Sequence, residues 1–243
     1  MNITKTVAAQ IKQHAEAQAP NETCGFIVRA GRKQTYQPCT NVAANPQETF
    51  EISADDWLAV EGEVEAIVHS HPQGEPYLSG ADRQMQVQTG LPWVLYVNGE
   101  LKVFRPCPHL RGRMFEYGEA DCGTLVRDAF MLCGLDLPDH ERTDLDADAA
   151  AGHWLKHLAA IGAYQVYDMQ PGDVVLTTYG GYASHAAFYL GGGELLHHAY
   201  GQLSRREPYS ESWAQSTHSI WRHRDWKPEM LEGLTGDLQH REI

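Results

Sequence analysis

Two histidines one residue apart, His69 and His71, open a segment His69-Ser70-His71-Pro72 that is followed by Ser79 and Asp82, with an isolated glutamate, Glu22, well upstream. This H-x-H-x(7)-S-x(2)-D spacing constrains the chain more than any other feature. On an extended strand, side chains alternate with period two, so both imidazoles point to one side. An aspartate farther along the chain can then complete three protein ligands around a zinc ion and leave one position for water, the layout of a catalytic rather than a structural site. A lone H-x-H would be an ordinary pair of strand histidines. The full set of positions at these separations points to a hydrolase.

A different constellation occupies the second half. In Asp121-Cys122-Gly123-Thr124-Leu125-Val126-Arg127 an aspartate suited to N-capping precedes a cysteine, and Leu125, Val126, Ala129, Phe130 and Cys133 recur at helical spacing. Cys122 is therefore expected in the first turn of a helix, where backbone N–H groups and the helix dipole would lower its thiol pKa. Without a histidine partner, a small buried apolar cysteine would be the better reading, as for Cys133. Partners follow: Pro171-Gly172-Asp173 opens a strand, Val174 to Thr178; Ser184 to Leu190 reads as a second; and after Gly191-Gly192-Gly193 a third ends in His197-His198.

Glu22, His69, His71, Ser79 and Asp82 resemble the JAMM motif of MPN-fold metalloproteases. That resemblance implies zinc on His69, His71 and Asp82, Glu22 taking the proton of the metal-bound water, and Ser79 helping to stabilise the oxyanion. The chemistry agrees, because zinc lowers the pKa of bound water to roughly 7 and a carboxylate can pass its proton to a leaving amine. The runs "DC…LV", "PGD" and "SHAAFYLGGGELLHHA" resemble the NlpC-type cysteine peptidases, papain-like enzymes that cut peptide stems of bacterial cell walls. The resemblance implies Cys122 as nucleophile, His185 as base and His197, in preference to its neighbour His198, as the orienting residue. Two positions depart from that pattern: Gly123 stands where serine is common after the nucleophile, and Tyr117 is closer to the cysteine than the tyrosine often found near the oxyanion.

The order and length of the two halves together resemble the tail assembly protein K family of lambda-like phages. That likeness implies a role at the tail tip, in assembly or in opening the cell wall, with peptidoglycan stem peptides and tail-tip proteins as partners.

The 243 residues suit two domains, each large enough for its own core. The expected fold class is α+β: an MPN (JAMM) α/β sandwich-like domain at residues 1–106, a linker at 107–113 in the junction Pro106 to Arg113, which carries two prolines and a glycine, and a papain-like NlpC-type α+β domain at 114–243. A formal charge of −13 argues against a nucleic-acid or anionic-membrane surface. Five cysteines without a C-x-x-C pair form no disulfide framework, which points to synthesis in the bacterial host cytoplasm, with the tail tip or periplasm as later locations. Ile3, Val7 and Ile11 share one face of an amphipathic first helix rather than forming a secretory core, and no apolar run approaches membrane-spanning length.

Coarse patterning gives strands at Cys24 to Ala30 and Lys33 to Pro38, a further strand at Glu48 to Ser53, a short helix at Ala54 to Glu61 and an apolar strand at Val64 to His69. A helix from Ser79 to Gln88 carries Asp82 in its first turn, and Trp93 to Val97 pairs with Leu101 to Arg105 across a type I′ Asn98-Gly99 turn. The acidic run Asp136 to Asp148 lacks the EF-hand spacing and central glycine, so a solvated loop before a helix at Ala147 to Ala160 is favoured over Ca²⁺ binding. Two functional classes compete: a bifunctional peptidase, and a structural tail-tip assembly factor that makes little catalytic use of either site. A sulfur-carrier or ubiquitin-like processing role is a further reading of the zinc half.

Overall fold

Val7, Ile11 and Ala15 recur every fourth residue, and in a computed structural model of the chain they are the buried stripe of helix α1 (Lys5–Gln18). The structure describes residues 1–239, so the last four positions of the domain expected at 114–243 lie outside the described residues. The chain divides into two units, Met1–Cys107 and Pro108–Ile243.

In the first unit the α1 stripe packs on Ile27, Tyr36, Ala66, Val68, Val94 and Tyr96. These residues alternate along strands β1 (Cys24–Ala30), β2 (Lys33–Cys39), β3 (Glu63–Ser70) and β4 (Trp93–Val97). With β5 (Glu100–Phe104) they form a five-stranded sheet in the order β2-β1-β3-β4-β5. Only β3 and β4 are parallel, and a parallel pair needs a crossover. Helix α2 (Ala54–Leu58) precedes β3, and α3 (Gly80–Thr89) lies in the β3-to-β4 crossover. Alternation sends Phe26, Ile67, His69 and Trp93 to the sheet face opposite α1, where Phe50 packs on His69 and Trp93 at ring-centroid distances of 5.0 and 5.7 Å. The β4–β5 hairpin turns through Asn98 (φ 51°) and Gly99 (φ 84°), both left-handed as a type I′ turn requires.

One expected strand is absent. Glu48 to Ser53 contributes a single bridge, Ile52 to Asn41. The Asn41 side chain takes the place of a neighbouring strand, donating to the Thr49 carbonyl at 3.0 Å and accepting the Glu51 amide at 3.1 Å.

The second unit runs α4 (Cys122–Leu132), α5 (Leu145–Ala150), α6 (His153–Ala160), β6 (Ala163–Val166), β7 (Val174–Tyr179), β8 (Tyr182–Gly191), β9 (Glu194–His197), β10 (Arg205–Pro208), α7 (Glu211–Ser216) and β11 (Thr217–His223), then a 3₁₀ segment, Pro228–Leu234, and α8 (Thr235–Leu238). Its antiparallel sheet has the order β10-β9-β8-β7-β11-β6. On one face α4 brings Phe130 edge-on to Phe188 and Trp226, at 5.1 and 5.7 Å between centroids. Burying each phenylalanine contributes roughly 1.5–3 kcal/mol. On the other face Val175, Ala187 and Leu195 cluster with Trp213. Gly172 enters β7 at φ 94°, and a Cβ there would fall 1.9 Å from the Trp226 indole, so this close approach requires glycine.

The helix expected from Ala147 to Ala160 is two helices. Gly152, at φ 68°, turns left-handed between α5 and α6 and ends the first despite its alanine-rich sequence. The segment from Pro108 to Arg113 is tied into the second unit. The Leu110 amide donates to Asp237 at 2.8 Å, and Arg113 reaches Asp128 at 2.7 Å and the carbonyls of Pro108 and His109 at 2.6 and 2.7 Å.

Candidate functional site

Each unit holds its own cluster of chemistry-bearing residues. In the first, β3 carries His69 on the face opposite α1, and the chain continues past Ser70 with the His71 amide donating to the Tyr96 carbonyl at 3.0 Å. The two Nε2 atoms lie 3.1 Å apart, and Asp82 Oδ2 stands 3.5 Å from that of His69 and 3.4 Å from that of His71. All three residues are buried. Among the described residues they are the one group of three or more His, Cys, Asp or Glu side chains placed to hold a metal ion.

The triangle suits zinc. With nitrogen and oxygen ligands about 2.0–2.1 Å from the metal, the edge of a tetrahedron is about 3.3 Å, and the three sides here, 3.1, 3.5 and 3.4 Å, bracket it. His71 Nδ1 lies 2.9 Å from the Glu75 carbonyl, which can only accept. That contact places the proton on Nδ1 and leaves Nε2 as a lone pair facing the triangle, the usual outer-shell arrangement of a metal-binding histidine.

Asp82 is placed by the start of its helix. Ser79 is the N-cap of α3: its hydroxyl accepts the Asp82 amide at 3.1 Å while Asp82 Oδ2 accepts the Ser79 amide at 2.8 Å, a reciprocal capping box. Burial alone would raise the Asp82 carboxyl, but the charges and hydrogen bonds of His69 and His71 outweigh it and hold the group below the usual carboxylate range. Glu22 is also buried, its Oε1 4.0 Å from His71 Nε2. Its backbone is fixed by the Glu22 amide donating to the Pro46 carbonyl at 2.6 Å and by Asn41 Nδ2 donating to the Glu22 carbonyl at 2.9 Å. Burial pushes its carboxyl up to about 7, with His71 opposing the rise and Asp82 and Glu75 adding to it.

In the second unit Asp121 caps α4 by accepting the Thr124 amide at 2.9 Å, which puts Cys122 at the first helical position. Cys122 and His185 line one largely apolar cavity of about 860 Å³, walled also by Phe115, Tyr117, Leu145 and Tyr200. Tyr117 donates its hydroxyl to Asp148 at 2.9 Å. The expectation of a depressed thiol pKa is corrected here. Burial, with the charge of Asp121 adding to it, pushes Cys122 up to about 12. The backbone amides and Arg142 draw it down but do not prevail, because the desolvation of a buried sulfur exceeds what the helix terminus returns.

His185 Nε2 lies 3.2 Å from His197 Nδ1. Burial, reinforced by His197, His198 and Arg205, lowers the His185 pKa to about 3. Strand alternation separates the paired histidines. His197, opposite Ala187, faces Trp213 at 5.0 Å between ring centroids, whereas His198 packs edge-on to Phe115 at 5.2 Å.

Two neighbours of this site were not singled out by motif spacing. Glu207 Oε2 stands 3.1 Å from His197 Nε2; it reaches there only because β10 pairs with β9, and a short polar strand carries almost no signal. Arg142 makes a buried ion pair with Asp121 at 2.7 Å. The acidic composition around it draws attention to the carboxylates and away from their one buried cation. Those carboxylates serve the local fold: Asp139 pairs with Arg127 and Arg142, Asp144 caps α5, and Asp148 accepts the Thr143 amide at 2.9 Å.

Comparison with known proteins agrees with this division. A family described as "Prokaryotic homologs of the JAB domain" matches residues 4–107, and the "NlpC/P60 family" matches residues 112–222. The chain is thus a two-domain α+β protein that joins a JAB-type unit to an NlpC/P60-type unit. Tail tip assembly protein K of Escherichia phage lambda is 49% identical over 192 residues, covering 77% of this chain and 96% of that protein. Tail tip assembly protein K of Escherichia phage N15 is 35% identical over 233 residues, covering 91% and 95%. This chain belongs to the tail tip assembly protein K family. A desampylase of Haloferax volcanii is 23% identical over 100 residues, covering 37% of this chain and 72% of that protein. Among the described residues, no helix is long and apolar enough to cross a membrane.

Proposed function

We propose that this chain is a bifunctional phage tail-tip hydrolase, with a zinc-dependent (iso)peptidase site in the first unit and a cysteine endopeptidase site in the second that cuts peptidoglycan stem peptides. In this reading it serves tail assembly, local opening of the cell wall, or both, and its partners are stem peptides and other tail-tip proteins. The observation that carries it is the shared cavity of Cys122 and His185, with His197 behind His185 at 3.2 Å.

In the cysteine site, the substrate carbonyl enters the apolar cavity beside Cys122. His185 removes the thiol proton as sulfur attacks the carbonyl carbon, and then gives that proton to the leaving amine. His197 holds the His185 ring in place.

In the first unit His69, His71 and Asp82 would hold zinc. Bound by these residues, the ion would supply Lewis-acid polarisation. Glu22 would be the base, taking a proton from an attacking water at Oε1 and passing it to the leaving amine. Ser79, at the entry of α3, offers its hydroxyl to the developing oxyanion.

Incubating the purified protein with muropeptides and with tail-tip proteins, and reading the cut bonds by mass spectrometry, tests both halves. The expected result is stem-peptide cleavage lost in Cys122→Ala and unaffected by a chelator. Intact substrates in every incubation would favour a purely structural assembly factor.

A further inference from the structure

Glu207 is surrounded by groups that can only donate. Its Oε2 accepts from Arg205 Nε at 3.0 Å and Nη2 at 2.6 Å, and its Oε1 accepts from Trp213 Nε1 at 3.0 Å. Guanidinium and indole nitrogens have no acceptor capacity. Burial works to raise the Glu207 carboxyl, but Trp213, Arg205 and His197 together keep it below its ordinary range, so the group is an ionised, acceptor-only carboxylate near neutral pH. Its remaining contact is His197 Nε2 at 3.1 Å.

From this arrangement we infer that Glu207 is a positioning residue that sets the direction of the whole imidazole relay. An ionised carboxylate must receive a proton from His197 Nε2. Burial keeps His197 neutral, and a neutral imidazole carries one N–H, so His197 Nδ1 is bare. The 3.2 Å contact to His185 then requires His185 Nε2 to donate. Nδ1 becomes the one acceptor on the His185 ring, available to the Cys122 thiol in the cavity that both line. His197 alone cannot fix this order, because its ring can carry the proton on either nitrogen. The inference rests on the cysteine-peptidase reading for its purpose, though not for its geometry.

The test uses the full chain with ¹⁵N-labelled histidine and long-range ¹H–¹⁵N correlation NMR, the two rings assigned through His185→Gln and His197→Gln. In the wild type, both His185 and His197 are expected as the Nε2–H tautomer. In Glu207→Leu the acceptor of the His197 Nε2 proton is removed and no new donor or acceptor takes its place. The His197 proton is then expected to move wholly or partly to Nδ1, and Cys122 alkylation by iodoacetamide at fixed pH to slow about tenfold or more, a modest part of what proton transfer contributes. Arg205→Gln keeps the carboxylate and should keep both tautomers.

An Nδ1–H form of His197 in the wild type would overturn the inference, and this spectrum decides even if Glu207→Leu folds poorly. Unchanged tautomers in folded Glu207→Leu, or the same reversal in Arg205→Gln, would also overturn it. Neither readout uses a substrate. Expected tautomers in a protein that cleaves no peptide would sink the peptidase reading and leave the relay standing; reversed tautomers with cleavage intact would do the opposite.

Discussion

Gly123 lies against the guanidinium of Arg142, where a Cβ would sit 3.0 Å from both Cζ and Nε. Arg142 cannot easily give way. It is buried and bonded to Asp121 at 2.7 Å, Asp139 at 3.0 Å and the Thr124 hydroxyl at 3.0 Å. The glycine after the candidate nucleophile, where the NlpC-type resemblance leads one to expect serine, is thereby accounted for: the arginine occupies the space. Gly123→Ser is expected to destabilise the protein by about 1–3 kcal/mol, the usual cost of overpacking, measured as a lower urea midpoint. A midpoint equal to that of the wild type would show that Arg142 moves freely.

Removing Asp121 from this pair should cost more, because it strands a buried cation. Asp121→Ala is expected to lose about 3–5 kcal/mol, together with the α4 cap. The pH dependence has a definite sign. Burial would raise the Asp121 carboxyl, but Arg142 and the capped amides win, so its folded pKa lies below the ordinary 3.8. The unfolded chain then binds the proton more readily. The contribution is present above about pH 3.8 and is lost as pH falls through the lower folded value. Urea midpoints of wild type and Asp121→Asn should converge on acidification below that point; parallel curves would count against the pair.

The first unit should bind one zinc per chain. Elemental analysis of protein purified without chelator is expected to find it, and His69→Ala with His71→Ala to abolish it. Full metal retention in the double variant would show that another group of residues holds the ion.

Cys122 should be the first of the five cysteines to be alkylated, since it alone lines the large cavity beside an imidazole. With the thiol pushed up to about 12, its rate should keep rising from pH 7 to 10 rather than level off near neutrality, because the thiolate fraction still grows with pH. Peptide mapping after limiting iodoacetamide checks the order, and a plateau below pH 8 would contradict the burial argument.

A chain truncated to begin at Pro108 is expected to fold, as judged by a cooperative urea transition. One beginning at Met114 should lose several kcal/mol, since it lacks the Arg113–Asp128 ion pair and leaves Asp128 buried without that partner. Equal stability of the two would place the start of the unit later.

What was legible in the sequence shares one property: the signal is local. The period-two step from His69 to His71, the Asn98-Gly99 turn and the Asp121 cap each specify geometry within a few residues. What was not legible depends on a partner far away in the chain. Glu48 to Ser53 alternates like a strand, but the Asn41 amide satisfies backbone groups that a strand neighbour would otherwise take. The alanines near Ala147 favour helix, yet Gly152 stops it in a left-handed turn. The sequence also places Cys122 at a helix start without revealing how deeply the fold would bury its sulfur. Glu207 lies ten residues past His197 and has no meaning until two strands pair.

One oxygen of Asp82 both receives the Ser79 amide and faces the two imidazoles. The first turn of a helix and one corner of the donor triangle are therefore the same atom. Fraying of residues 79–82 would pull that corner away, so the grip of the triangle can be no steadier than this turn. Conversely, whatever bridges the corners would register at a distance from itself, as slower deuterium uptake by a single backbone amide at Ser79.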